Sequence, residues 1–422
     1  MASSQDRFFP ELTTAHFAAQ LPALREKLER ARTLVVTPNR HGLYAASSSQ
    51  ADDAASGYQN AWLRDNALVA FSRWVCGDAE SACATARGLG KFLVTQIPKI
   101  EKIIARPSRK LDVMQRPHIR FDAANLRELP ESWPHAQNDA LGYTLWLRFR
   151  LANRAGFALS AEERDLYRIF PRYFRAIQFW QDADSGAWEE GLKVNSSSVG
   201  AVVAALEELS AYVAANKKAL RGVSQAELGN LAARGRRTIA ANMPFEAPPE
   251  RRSDSALLFL LYPLELVSEQ DARDMIVSLV RARLMGPHGI RRYCGDSYFC
   301  QDYDTWFPPE QRSSSFAGRL AVRDEFLQPG CEAQWCLFDP VLSAIFGIEF
   351  ARRPAERRLL ELQLDHFNRA IAQLDAQARC PELYFLKQGR YVPNEHTPLA
   401  WTQANLAVAL TFLEKSALLH TR

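Results

Sequence analysis

The feature that most limits how this chain can fold is the rhythm of its connections. Helical periodicity dominates, with apolar residues returning every three to four positions; in PALREKLERARTLV, residues 22–35, Leu24, Leu28 and Ala31 fall on one stripe. Helices are predicted near 11–33, 62–76, 79–98, 136–155, 161–183, 196–214, 225–243, 253–262, 269–283, 331–347, 354–376 and 399–416. The chain turns over within a few residues after the second, fourth, eighth and tenth of these, and the link after the sixth is only moderately longer. After the odd-numbered helices it takes wider loops, at 34–61, 99–135, 184–195, 244–252, 284–330 and 377–398. Helices joined by short links lie antiparallel, so direction alternates and every wide loop emerges at the same end. Twelve helices with one elaborated end describe an all-α fold, the (α/α)6 barrel or six-hairpin toroid, with six inner and six outer helices.

No Pro-, Gly- or Ser-rich linker divides the chain, so residues 1–422 are expected to form a single domain, with the N-terminal helix and lead-in loop, 1–55, as part of it. No segment alternates cleanly enough to predict a strand, and no sequence self-similarity recurs at a fixed period. A two-domain helical bundle would leave the alternation of loop lengths unexplained.

Composition removes several function classes. There are 52 basic and 48 acidic residues with the signs interspersed, and no basic tail or stripe points to nucleic acid. The seven cysteines are odd in number, irregularly spaced and without a C-x-x-C pair, which fits reduced thiols better than a disulfide framework or a zinc site. The N-terminus lacks an apolar signal core, and the longest apolar run, ALLFLLY at 256–262, is far shorter than the roughly 20 residues that span a bilayer. A soluble, cytoplasmic protein without a membrane partner is expected. RGLGKF at 87–92 has the wrong spacing for a phosphate loop, and no G-x-S-x-G supplies a serine nucleophile. His118 and Asp122 stand four apart, as two metal ligands can, but a third ligand is not evident and structural hydrogen bonding is the expected role.

Five of the six wide loops carry residues suited to chemistry. The third contains GAWEEGLKVNSSSVG, 186–200, where Glu189 and Glu190 follow Trp188 between a Gly turn and a Ser cluster that reads as a helix start. The acids therefore lie on a loop, where rigid scaffolds tend to place function. An acid desolvated beside Trp has a raised pKa and suits a general acid; the plainer reading is a solvated acidic turn. The first loop runs into YQNAWLRDNALVAF, where Asp65 or Asn66 can cap the helix and Arg64 with Asp65 can read a sugar diol, one donating and the other accepting. In LPESWPHAQNDALGYTLW, Trp133 can close a core or stack on a pyranose, and Gln137, Asn138 and Asp139 can cap the next helix. GIRRYCGDSYFCQDYDTW, 289–306, sets Arg292 beside Tyr293 among Asp296, Asp302 and Asp304. In CPELYFLKQGRYVPNEHTPLAW either Glu382 or Glu395 can face Glu189 across the barrel mouth, and His135 and His396 also lie on these loops. Their joint arrival at one end points to a carbohydrate site lined by acids, Arg and Trp.

WLRDN, WPHAQND, GAWEE, GIRRY and PELY…TPLAWTQA, in that order over about residues 55–415, resemble the glucoamylase family, glycoside hydrolase family 15, and the glucoamylase-like region of phosphorylase kinase α and β subunits. The resemblance implies an (α/α)6 barrel and an inverting, exo-acting α-glucosidase acting on an α-glucan or α-glucoside without a cofactor. It implies Glu189 as general acid and Glu382 as general base. Arg64, Asp65, Glu190 and Arg292 would hold the terminal sugar, with Trp133 and Trp335 stacking. The family usually reads Glu-Gln where this chain has Glu382–Leu383, and NSSSVG and TPLAWTQA look more like the phosphorylase kinase branch. The alternative is therefore a catalytically silent glucan-binding or regulatory protein, and glucosyl transfer is a third possibility. Linkage, chain-length preference and oligomeric state stay open.

Overall fold

The structure, a computed structural model, describes residues 9–48, 56–216, 222–313 and 320–420. Twelve helices among them build the barrel: α1 Phe17–Arg30, α2 Leu63–Val75, α3 Ala79–Thr95, α4 Asn138–Arg154, α5 Ala161–Ile177, α6 Ser196–Ala215, α7 Gln225–Asn242, α8 Leu258–Leu261, α9 Gln270–Arg283, α10 Phe338–Arg352, α11 Arg357–Ala372 and α12 Ala400–His420. The even-numbered helices pack in succession, and α12 returns onto α2, so the inner ring closes. The odd-numbered helices lie outside: α3 against α2 and α4, α7 against α6, α11 against α10 and α12, and α1 against α12. This is the (α/α)6 barrel that the loop rhythm predicts.

Local chemistry sorts the helices between layers. Along α10 and α12 apolar residues face nearly every direction, as suits helices enclosed on all sides. On α5 a polar face opposes Leu166, Phe170, Tyr173 and Phe174, and Ser160 with Glu163 closes its N-terminus as a capping box. Ser224 accepts from the Glu227 amide to start α7, and Asp78 does the same for Ser81 in α3. The shortest inner member, α8, continues a 3₁₀ turn at Ser255–Leu257 and stops at Tyr262, held extended by the proline that follows. By composition α6 is apolar and long enough to cross a membrane, yet it is an inner barrel helix, buried from Ser196 through Leu206.

Several expectations need correction. Two three-stranded antiparallel sheets stand at the loop end: β1 Ala61–Trp62, β2 Arg120–Asp122 and β3 Arg127–Glu128, then β4 Gln334–Trp335, β5 Leu383–Lys387 and β6 Arg390–Pro393. Most are too short for alternation to register in a sequence window. Because β4 occupies 334–335, the helix expected at 331–347 starts only at Phe338. The third helix ends at Thr95, and a separate helix, Ile97–Ala105, begins with Pro98 in its first turn. Of the lead-in 1–55, residues 1–8 and 49–55 lie outside the described residues; α1 is anchored by a two-pronged Arg25–Glu414 pair at 2.6 and 2.8 Å. All seven cysteines are free thiols.

The inner ring is tightest between α4 and α6. A Cβ placed on Gly142 would sit 2.6 Å from the Ala201 carbonyl carbon and 2.7 Å from the Val202 nitrogen, both backbone atoms that cannot step aside. Gly229 on α7, by contrast, has nothing within 4 Å. Gly142→Ala is therefore expected to destabilise the fold by about 1–3 kcal/mol through overpacking. Gly229→Ala should stabilise it by about 0.5–1 kcal/mol. Urea melts of the two variants check the pair, and equal effects would contradict the close approach.

Candidate active site

The wide loops and the two sheets surround a cavity of about 650 Å³, its open mouth included. It is lined by Tyr58, Trp62, Arg64, Asp65, Trp133, Trp188, Glu189, Arg292, Tyr298, Arg323, Trp335, Glu382 and Trp401, with Ala46, Ala187 and Leu399 between them. Seven of the eight site residues expected from sequence reach this wall; Glu190 does not. Glu395 pairs with Arg312 at 3.1 Å away from it, Asp302 accepts from the Gln388 amide, and Asp304 pairs with Lys387. Of the two acids left open in the last loop, the one facing Glu189 across the cavity is thus Glu382.

Arg64 organises the first side. It sits in the opening turn of α2, directly after the extended Trp62 of β1. Its Nη1 donates to Gln137 Oε1 at 3.0 Å and Asp139 Oδ2 at 2.8 Å, while its Nη2 reaches Glu189 Oε1 at 3.4 Å. Burial works against the guanidinium charge, but Asp139, Glu189 and Asp65 more than offset it and hold the pKa above its ordinary value. None of the expected caps forms at α2 or α4: Asn66 instead bonds the backbone of Tyr44 and Trp62, and Gln137 and Asp139 turn to Arg64. Asp65 lies partly open to the cavity. Burial pushes its carboxyl up to about 7, opposed by Arg64 and assisted by Glu189.

Glu189 ends the 3₁₀ turn Gly186–Trp188 in the left-handed region, at φ 59° and ψ 39°, an uncommon conformation for a non-glycine residue. The turn is pinned by Trp188, whose Nε1 donates to Asp254 Oδ1 at 2.9 Å, and by the Glu190 amide bonding Ser185 O at 3.1 Å. Glu190 is tied into a buried cluster. Its Oε1 accepts from Arg292 and Arg323, each at 2.7 Å, and its Oε2 accepts from Arg251 at 3.3 Å and from the Tyr293 hydroxyl. Burial alone would raise this carboxyl, but the three guanidiniums hold it well below the usual carboxylate range. Arg292 is gripped from its other side by both oxygens of Asp296, at 2.6 Å. The acid expected to hold substrate is thus bonded to two cavity-lining arginines, Arg292 and Arg323.

Glu382 leads into β5, with its carbonyl bonded to the Cys336 amide and its own amide to His396 O. Its carboxylate accepts from Tyr58 Oη at 2.7 Å and from Asn394 Nδ2 at 2.5 Å. Burial raises its pKa against the pull of His396, Tyr58 and Asn394. Tyr58 stacks on His396 at 3.5 Å and bonds the Tyr298 hydroxyl at 3.0 Å. Trp133 packs edge-on to Trp62 and carries the Arg120 guanidinium 4.0 Å over its ring, while Trp335 lies beside Trp188 and Tyr298. His135 stacks on His118 at 3.7 Å, and burial pushes these imidazoles down to about 2 and about 4. Asp122 is taken up by Asn125 and loop amides, and no cluster of metal-binding side chains occurs among the described residues. Tyr58, Tyr298 and Trp401 stood unassigned inside the quoted motifs; Arg323 lies in none of them.

Residues 29–298 match the glycosyl hydrolases family 15. The chain belongs to glycosyl hydrolase family 15. A curated relative, the probable phosphorylase b kinase regulatory subunit alpha of Caenorhabditis elegans, is 25% identical over 268 residues, 57% of this chain and 21% of its own length. The chain spans about a fifth of the length of the curated relatives it matches first. Among solved structures, a glycosidase in complex with glucose is similar over 96% of this chain and 99% of its own, with a TM-score of 0.66 at 20% identity. A bacterial glucoamylase complexed with acarbose is similar over 90% of this chain and 53% of its own, with a TM-score of 0.59 at 15% identity. This family 15 member therefore shares the glycosidase barrel, with the mouth of that barrel carrying the cavity described here.

Asp65 supplies a pH test of this arrangement. Its folded carboxyl ionises near 7 and an unfolded one near the ordinary 3.8, so the folded state holds the extra proton between these values. Stability from this group falls as pH rises through that window. Asp65→Asn should therefore stabilise the fold more at pH 8 than at pH 5, by about 1–2 kcal/mol after allowance for the wet cavity. Denaturant melts at both pH values check it, and an equal effect would contradict the raised pKa.

Proposed function

We propose that this family 15 member is an inverting, exo-acting α-glucosidase of the glucoamylase type. The observation that carries the reading is that Glu189 and Glu382, 193 positions apart in sequence, line one cavity together with Arg64, Asp65 and the tryptophans. Glu189 in its protonated form donates to the glycosidic oxygen as the bond to the leaving group breaks. Glu382 as carboxylate takes a proton from the water that attacks the opposite face of the sugar. Inversion by this route requires the two carboxyl groups about 6.5–9.5 Å apart, leaving room for that water. The raised pKa of Glu382 makes it the stronger base once ionised, and Tyr58 and Asn394 fix its orientation. Arg64 and Asp65 hold the terminal sugar, whose hydroxyls find a donor fork and an acceptor side by side. Trp133 and Trp335 offer apolar faces. The similar barrels that carry glucose and acarbose support a glucose-type ligand here.

A second reading, a catalytically silent glucan-binding or regulatory protein, is favoured by the likeness to regulatory subunits of phosphorylase b kinase. Both acids on the wall favour the enzyme. Glucose release from maltose, isomaltose, trehalose and maltooligosaccharides separates the two readings, and product analysis would reveal transfer to a sugar acceptor. Glu189→Gln and Glu382→Gln are each expected to lower kcat by about 10²–10⁴-fold with the fold retained, as checked by circular dichroism. Saccharide binding without turnover in the wild type would support the regulatory reading instead.

A further inference from the structure

The fourth wide loop, 244–252, is the one in which the sequence offers no candidate for chemistry, yet Arg251 and Asp254 at its end reach the turn that carries Glu189. Asp254 is fully buried where the loop meets the 3₁₀ turn Ser255–Leu257 that leads into α8. Its Oδ1 accepts from the Trp188 indole Nε1 at 2.9 Å and from the Ala256 amide at 2.8 Å. Its backbone is bridged to Tyr293, and the Ser255 amide donates to Arg292 O at 2.8 Å, so the acceptor is fixed against the fifth loop as well. Arg251 joins the two acids on either side of this turn. Its Nη1 donates to Asp254 Oδ2 at 3.5 Å and its Nη2 to Glu190 Oε2 at 3.3 Å, with the guanidinium 3.3 Å over the Tyr293 ring. Both neighbours of Glu189 are thus held through their side chains, Trp188 by Asp254 and Glu190 by Arg251, Arg292 and Arg323.

That double hold answers a need of the backbone. Glu189 stands in the left-handed region at φ 59°, and a non-glycine residue persists there only where its surroundings over-determine it. An indole has a single N–H to give, and Asp254 takes it. We propose that Asp254 is a positioning residue for the general acid: it fixes Trp188, and through Trp188 the angle at which the Glu189 carboxyl meets the glycosidic oxygen. The inference rests on the α-glucosidase reading, in which Glu189 protonates that oxygen. Glu382 is held separately, by Tyr58 and Asn394. Loss of Asp254 therefore weakens proton donation and leaves the attack of water in place.

Leaving groups separate these two parts of the reaction. The sugar that departs from a disaccharide needs a proton from Glu189, whereas 2,4-dinitrophenolate departs as the anion. The readout is kcat/KM for whichever of maltose, isomaltose and trehalose the wild type hydrolyses best, divided by kcat/KM for 2,4-dinitrophenyl α-glucoside. In Asp254→Ala this ratio should fall about tenfold or more, since misplacing a catalytic group by about 1 Å costs up to about 10²-fold. Trp188→Phe, which removes the donor and keeps a ring, should lower it likewise, and it carries the test if circular dichroism shows that Asp254→Ala does not fold. Asp254→Asn, whose amide oxygen can accept from the indole, should keep the wild-type ratio. An unchanged ratio in the Ala and Phe variants, with both rates falling together as a purely structural role requires, overturns the inference. An equal fall in Asp254→Asn overturns it too, because the effect would then lie in the charge and not in the bond to Trp188. A wild type that hydrolyses none of the disaccharides removes the α-glucosidase reading and this inference with it, whereas wild-type hydrolysis with an unresponsive ratio removes this inference alone.

Discussion

A single guanidinium joins three of the loops that make the cavity. Arg64, at the start of α2, is bonded to Gln137 and Asp139 at the start of α4 and to Glu189 on the turn before α6. These are successive members of the inner ring, so the contact that orients Glu189 also fixes the spacing of three barrel helices at their loop ends. Arg64 and Asp139 are nearly out of reach of solvent, at 4% and 1% exposure. Removing one partner of such a pair strands the other charge and typically costs about 3–5 kcal/mol. Fold and site are coupled through this contact: the closed ring brings the loop ends together, and the ion pair decides which side chains they present.

The two neighbouring acids of GAWEE show how sharply position divides identical chemistry. Glu189 is turned by its left-handed backbone onto the cavity wall and faces Arg64. Glu190, one residue on, is absorbed into a cluster with Arg251, Arg292, Arg323 and Tyr293. In the proposed reaction the first gives its proton to the leaving group. The second is held ionised by its cationic neighbours. Across the cavity Glu382 is steadied by hydrogen bonds from a phenol and an amide, and burial leaves its pKa raised against their pull and that of His396.

Much of this was legible in the sequence, for reasons that can be traced to particular residues. Loop lengths carry direction, so the barrel and its elaborated end follow from where the helices stop. Arg64, Asp65, Trp133, Glu189, Arg292, Trp335 and Glu382 all arrive at one cavity because each stands in a loop, or beside one, at that end. What was not legible depends on contacts between distant segments. The choice between Glu382 and Glu395 turns on the strand pairing that lays Leu383 against Trp335, and strands as short as β4 leave no periodic trace. The helix caps expected of Asp65, Gln137 and Asp139 gave way to ion pairing and ligand-facing positions. Arg323 lies in no motif, and its bond to Glu190 joins residues 133 positions apart.

In the proposed reaction Glu189 and Glu382 act from opposite faces of a bound sugar, with water attacking on the Glu382 side. The most direct measurement is ¹H NMR of the first glucose released from an α-linked substrate, recorded before the anomers equilibrate. β-Glucose is expected first, with the α anomer growing in only by mutarotation. Initial release of α-glucose would mean that no water attacks from the far side, and would contradict the assignment of the two acids.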